Sequence, residues 1–228
     1  MQKGVKFRIY PNMEQQNLIN QTLGCCRLIY NKCLAMRNEA YENGNKIGYS
    51  QTSAMLTGLK RMEEFAFWKE VDSIALQQSL RDLDRGFVNF FQKRAAHPTY
   101  KSKHNHHQSY RTVNQDDNIH IAGKYMKLPK LGFVKIRQSM EVGKINHVTI
   151  ERTPTNKYFA VLNVEFEPQP RPNNGGRIGI DVGIKEFYSD SNGTVVSNPK
   201  YLERSMRKLI REQRKLSRKP KGSNNRTK

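Results

Sequence analysis

Acidic residues are scarce in this 228-residue chain: 20 Asp and Glu stand against 40 Lys and Arg, a formal charge of +20. Self-repulsion of that size destabilises a compact state, which argues against an enzyme of small neutral metabolites. A polyanionic partner offsets it, and a strongly basic domain is the electrostatic footprint of nucleic-acid binding; a merely basic surface is the plainer alternative. Hydrophobic residues are also few, at 36%. No run nears the ~18 apolar residues of a membrane span, and no signal-peptide apolar stretch opens the chain, so a cytoplasmic protein is expected. Cysteine is limited to Cys25, Cys26 and Cys33, an odd set crowded into one segment, which excludes a disulfide framework and fits a reducing compartment. No CxxC pair occurs, so a closed zinc site is excluded as well.

What is present has clear order. Lys3–Tyr10 alternates as a strand, ended by Pro11. Asn12 with Gln15 reads as a capping box, followed by a helix with Ile19, Leu23, Cys26, Tyr30 and Cys33 on one face, stopping near Asn43-Gly44. Ser50 is expected to cap a second helix carrying Met55, Leu59 and Met62. A third starts near Asp72 or Ser73, carries Leu76, Leu80, Leu83, Phe87 and Phe90, and ends before Pro98. Short strands follow at Ile119–Ile121, Tyr125–Leu128 and Phe133–Ile136. A hairpin then joins His147–Arg152 to Tyr158–Glu167, with Tyr158, Ala160, Leu162, Val164 and Phe166 on one face. After a Pro- and Asn-rich linker, Ile178–Gly183 reads as a buried-type strand, Phe187-Tyr188 and Thr194–Val196 as two more. Lys200–Lys228 holds twelve basic residues against Glu203 and Glu212, half of the net charge, on a partly amphipathic helix with a tail.

Asp181 is the most informative residue. A carboxylate on an apolar strand between Gly179 and Gly183 is costly unless it binds a cation or is paired. RNase H-like nucleases and actin-like ATPases both use such an arrangement; an Asp capping the next turn is the structural alternative. The ATPases follow with Thr or Ser, whereas Ile184-Lys185-Glu186 stands here. Two-metal phosphodiester hydrolysis needs more than one carboxylate, and Glu186, Asp190, Glu203 and Glu212 are the downstream candidates. His104, His106 and His107 lack Cys or paired carboxylates at ligand spacing and read as a basic loop. Cys25-Cys26 reads as packing. Tyr100 and Tyr110, among Lys101, Lys103 and Arg111, suit stacking on bases, or equally a core position.

Arg8-Ile9-Tyr10-Pro11, Gly24-Cys25-Cys26-Arg27 with Tyr30-Asn31, Asp72-Ser73, Leu76-Gln77-Gln78, Phe90-Phe91, Lys101-Ser102-Lys103, Ser109-Tyr110-Arg111 and Leu128-Pro129-Lys130-Leu131-Gly132 occur in series. Gly179-Ile180-Asp181-Val182-Gly183-Ile184-Lys185 and Asn198-Pro199-Lys200 complete it. The series resembles the TnpB (OrfB) family of bacterial insertion sequences. The resemblance implies an α+β fold: a wedge-type antiparallel β-barrel (1–10 and 108–170), interrupted by a three-helix recognition lobe (11–107). A linker (171–176) and the first part of an RNase H-like (RuvC) domain (177–228) follow.

It also implies an RNA-guided, metal-dependent DNA endonuclease. Its partners would be a guide RNA of the omega type and double-stranded DNA beside a short motif, with Mg²⁺ as the metal. Asp181 is then the first catalytic and metal-binding carboxylate. Tyr49, Gln77 and Thr112 match positions near the motif contact. Arg27, Lys101, Lys103, Tyr110, Arg111, Arg207, Lys208, Arg211, Arg214 and Lys215 are the further candidates for nucleic-acid contact. The family's second and third carboxylates and zinc-binding CxxC pairs lie beyond the basic helix. The chain is therefore expected to be a truncated or split member, inactive alone and completed by a C-terminal half. A non-catalytic nucleic-acid binder is the other reading.

Overall fold

A computed structural model describes residues 1–105, 107–168 and 175–227; His106, most of the expected linker and Lys228 lie outside them. The chain forms two compact units, Met1–Pro168 and Gln169–Lys228.

In the first unit β1 (Gln2–Tyr10) runs into α1 (Met13–Glu42). The capping box forms: the Gln15 backbone N–H donates to Asn12 Oδ1 at 2.8 Å, and Asn12 N–H to Gln15 Oε1 at 3.0 Å. Gln15 Nε2 also donates to the carbonyls of Leu131 and Phe133, each at 3.0 Å, which fastens the helix start to a turn of the sheet. α2 spans Tyr49–Leu59 with Gly48 as its N-cap, two residues earlier than a Ser50 cap would set it. Gln51 Oε1 accepts the Gly48 N–H at 3.0 Å and takes the capping role. Met62 lies past this helix and is exposed. A 3₁₀ segment, Glu63–Lys69, buries Phe65 and the single Trp68. α3 (Ser73–Phe91) is capped by Asp72, whose Oδ1 accepts the Ile74 N–H at 2.9 Å.

The remaining strands are β2 (Gln108–Val113), β3 (His120–Ala122), β4 (Tyr125–Leu128), β5 (Gly132–Arg137), β6 (Ile145–Arg152) and β7 (Tyr158–Glu165). All pair antiparallel, in the order β2-β6-β7-β1-β5-β4-β3. β1 lies between β7 and β5, with Phe7 opposite Ala160 and Ile9 opposite Ile136. The N-terminal strand is thus completed by strands that follow the helices in sequence. The sheet is curled like half a barrel, and its ladder does not close between β2 and β3 among the described residues. One core joins Phe7, Ile9, Val148, Ile150 and Leu162 of the sheet to Ile19, Ile29, Leu76, Leu80 and Leu83 of the helices. The inward residues Tyr158, Ala160, Leu162 and Val164 follow the expected alternation; Phe166 lies beyond the strand and is partly exposed.

The second unit has β8 (Ile180–Asp181), β9 (Glu186–Asp190) and β10 (Val195–Ser197) as an antiparallel meander, then α4 (Tyr201–Ser217) and the short α5 (Asn224–Thr227). The sequence suggests a buried strand at Ile178–Gly183. Only two of its residues pair, and Ile180 is 60% exposed, with Ile178 and Val182 exposed too. Apolar residues that read as interior therefore have no cover among the described residues. No described helix is long and apolar enough to cross a membrane.

Candidate nucleic-acid interface

α4 is two-faced because its charged and apolar residues keep separate helical phases. Leu202, Met206, Leu209 and Leu216 recur at steps of four, three and seven, while Arg204, Arg207, Lys208, Arg211, Arg214, Lys215 and Arg218 fall on the opposite side of a 3.6-residue turn. Arg207, Arg211, Arg214 and Lys215 line a shallow groove of about 440 Å³ with Ile210 and Arg218. Glu203 pairs with Arg207 at 3.6 Å, and Glu212 with Lys215 at 3.1 Å. The hydrogen bond from Lys215 holds the Glu212 carboxyl below its ordinary range. Exposed pairs of this kind contribute little to stability, and they leave the cationic excess in place. Asn198 sets the start of α4: its Oδ1 accepts the Lys200 N–H at 2.9 Å, and its Nδ2 donates to the Ile184 carbonyl at 2.8 Å.

Asp181 ends β8, in register with Ser189. Beside it, Ser191 ties the strand at Gly179, accepting the Gly179 N–H on Oγ at 3.1 Å. The other candidate carboxylates are largely committed. Asp190 Oδ1 accepts the N–H groups of Thr194 and Asn192, each at 2.9 Å, and the Thr194 bond above all lowers its pKa. Glu203 and Glu212 face cations, and Glu186 lies on β9. No set of three His, Cys, Asp or Glu side chains among the described residues could hold a metal ion. His104 and His107 are held through their backbone N–H groups, by Ser102 and Asn105.

In the first unit the structure brings Arg27 and Lys101 together around a cleft of about 220 Å³, with Asn105, His107, Gln108 and Ser109. Asn31 clamps the Lys101 backbone from both sides, at 2.8 and 2.9 Å. The Lys101 side chain crosses apolar surface, its Nζ 4.1 Å from the Tyr30 ring centre, and desolvation there lowers its pKa against the opposing pull of Asp82 and Cys26. Lys103 is exposed in the adjoining turn. The three cysteines are free and buried; burial pushes Cys25 and Cys33 up to about 11, and Cys26 higher still, so they are packing thiols.

Tyr49 opens α2, its hydroxyl accepting from Arg81 Nε at 3.3 Å. Gln77 is exposed on α3, one turn before Arg81, so these three lie in one neighbourhood. Arg111 is held by Asp82 at 2.6 Å. Two expectations meet a different placement. Tyr110 is only 7% exposed and packs in the core, so its ring is not a free stacking platform. Thr112 is 1% exposed, with a buried hydroxyl that has no hydrogen-bond partner among the described residues. Alternation on β2 explains both, because residues two apart on a strand share a face. Arg81 and Asp82, which organise Tyr49 and Arg111, were not among the expected residues; their adjacency on α3 beside Gln77 is the signal that marks them.

Residues 1–46 match a family model described as a helix-turn-helix domain of OrfB proteins, and residues 152–228 match one described as a probable transposase of the same group. The chain belongs to the TnpB/OrfB family. Within the helix-turn-helix match the structure has one strand and the single long helix α1. Two proteins named "Putative RNA-guided DNA endonuclease" are similar along nearly the whole chain. One, from Streptomyces pristinaespiralis, is 37% identical over 100% of this chain and 58% of its own length. The other, InsQ of Escherichia coli (strain K12), is 34% identical over 96% of this chain and 55% of its own. The "Virulence protein VsdF" of Salmonella dublin is 35% identical over 46% of this chain and 96% of its own. The TnpB/OrfB chain described here thus spans somewhat more than half the length of the two endonuclease-named relatives.

Proposed function

We propose that this chain is a nucleic-acid-binding part of a transposon-associated TnpB/OrfB system, holding RNA and DNA by their phosphates. The observation that carries this reading is the cationic face of α4, six basic residues on one side of about five turns with Arg218 at its C-cap, in a chain of charge +20. Phosphate contacts position a nucleic acid without reading it; sequence would be read by a guide RNA paired to target DNA beside a short motif. The names of the two longer relatives support RNA and DNA as partners. On this reading Tyr49 and Gln77 meet the motif, and Arg27, Lys101, Lys103 and Arg111 face phosphate. Residues 1–10 and 108–170 form the wedge, 11–107 the recognition lobe, and 177–228 begin an RNase H-like domain, as the meander followed by a helix supports.

Asp181 is the first carboxylate of that domain. A single carboxylate leaves a divalent cation mostly to water, and in-line phosphodiester cleavage needs further carboxylates. Cleavage therefore belongs to a protein in which such groups join Asp181 from another segment or polypeptide. Binding without any nuclease role is the second reading, favoured by the commitment of Asp190, Glu203 and Glu212 to local partners.

Titration with structured RNA tests the reading. Affinity should fall steeply between about 50 and 200 mM salt. Replacing Arg207, Arg211, Arg214 and Lys215 by Gln should flatten the log–log slope by about 3, from roughly 0.7 counterions per neutralised single-strand phosphate. A slope that does not change removes α4 as the contact surface.

A further inference from the structure

The last turns of α1 and α3 enclose a cavity of about 710 Å³ that none of the expected contacts uses. Its walls are aromatic and mutually braced. His97 stands edge-on to Phe87 at 5.3 Å and to Phe90 at 5.1 Å, and Phe91 stacks against Phe87 with the planes 25° apart. The Arg37 guanidinium lies 4.0 Å from the Phe87 ring centre and is fixed by Asp84 at 2.9 Å, so this cation is part of the wall. The wall depends on a close approach at Gly86, where a Cβ would come within 3.2 Å of Pro98, the residue after His97. Phe91 is 64% exposed, a large ring held at the mouth without cover.

Polar groups at the same cavity narrow what it can take. Asn38 and Asn45 each present an amide, a donor beside an acceptor, the pairing that matches the edge of a nucleobase. Lys46 is the one cation of the lining without an acidic partner among the described residues. The carbonyl ends of two helices repel an anion placed deep between them, while a neutral base carrying amino donors is favoured there. Flat aromatic walls, two amides and a cation at the side suit a base with its phosphate left at the rim.

We infer that this cavity receives an unpaired nucleobase of a bound nucleic-acid strand, stacked on Phe91 with the Phe90 ring, tilted 57° from it, closing one side, and with Lys46 meeting the adjoining phosphate. The inference rests on the nucleic-acid-binding reading above and adds a base-dependent site to it. Stacking of this kind is sequence-tolerant and typically costs about tenfold in affinity when the ring is removed.

The experiment uses the full chain and single-stranded oligonucleotides carrying one 2-aminopurine, whose fluorescence is quenched on stacking, in RNA and DNA versions. Matched strands abasic at every position, which leave no other base to take the place, serve as the comparison. The wild type should quench the probe and prefer the intact strand to the abasic one by about tenfold. Phe91→Ala should abolish both effects, Phe91→Tyr should restore them, and the salt slope should stay the same in both variants. Asn45→Ala, at an exposed position, should weaken the intact strand alone. The RNA and DNA arms report which strand supplies the base. Equal affinity for intact and abasic strands, or a quench that survives both Phe91→Ala and Asn45→Ala, overturns the inference while leaving phosphate binding intact. Failure of the wild type to bind either strand overturns the functional reading as well.

Discussion

Thr112 lies on β2 with its hydroxyl in the core and without a hydrogen-bond partner among the described residues, an arrangement that costs roughly 1–3 kcal/mol relative to a satisfied group. Thr112→Val keeps the shape and removes that penalty. It should raise stability by about 1 kcal/mol, measured by chemical denaturation, and leave affinity for target DNA unchanged. Loss of DNA affinity in that variant would show that β2 opens to expose the hydroxyl when DNA binds. His147, on β6 opposite Val113, has its pKa lowered by desolvation and by the Arg111 charge. The unfolded chain then binds this proton at its ordinary value of 6.5 while the folded chain resists it. Acidification through that value therefore favours unfolding, and stability returns as pH rises above it. His147→Gln should lose less stability than the wild type between pH 7.5 and pH 5, compared by thermal melts; equal losses would assign the acid sensitivity elsewhere.

Gln15 fixes an element to its surroundings. It closes the capping box of α1 and binds the carbonyls of Leu131, just before β5, and of Phe133, inside it. Gln15→Ala should cost more than Asn12→Ala, whose loss of a cap is about 1 kcal/mol; the reverse order would show that the helix start does not depend on the sheet. Elements of this sort were legible in the sequence because their causes are local. The capping box, the helical phases of α1 and α3 and the alternation of β7 all depend on residues within a few positions of one another. The 3₁₀ segment Glu63–Lys69 is not legible in the sequence, because Phe65, Trp68 and Val71 recur every three residues, a spacing that matches neither the 3.6-residue helical period nor strand alternation. The apolar composition around Asp181 predicts a buried strand, and the structure leaves it exposed. Composition records the preference of Ile178, Ile180 and Val182 for cover, but not whether the residues described supply it. At the candidate site the charge of α4 was legible and the inward side of β2 was not, since the polar composition around Tyr110 and Thr112 gives no phase.

At the scale of the molecule, a charge of +20 on 228 residues opposes compaction until phosphate neutralises it. The core around the curled sheet and its helices holds the first unit, and α4 displays a cationic face along its length to solvent. Asp181 has no set of companion ligands among the described residues. On the proposed reading binding and cutting are separable in this chain, and one assay addresses both: labelled duplex DNA and RNA incubated with the purified chain and Mg²⁺ or Mn²⁺, then resolved for bound and cleaved species. The account predicts salt-sensitive complexes and no cleavage above background, with Asp181→Ala indistinguishable from the wild type. Cleavage by the chain alone, abolished by Asp181→Ala, would contradict it and require a metal centre built from carboxylates such as Glu186 and Asp190.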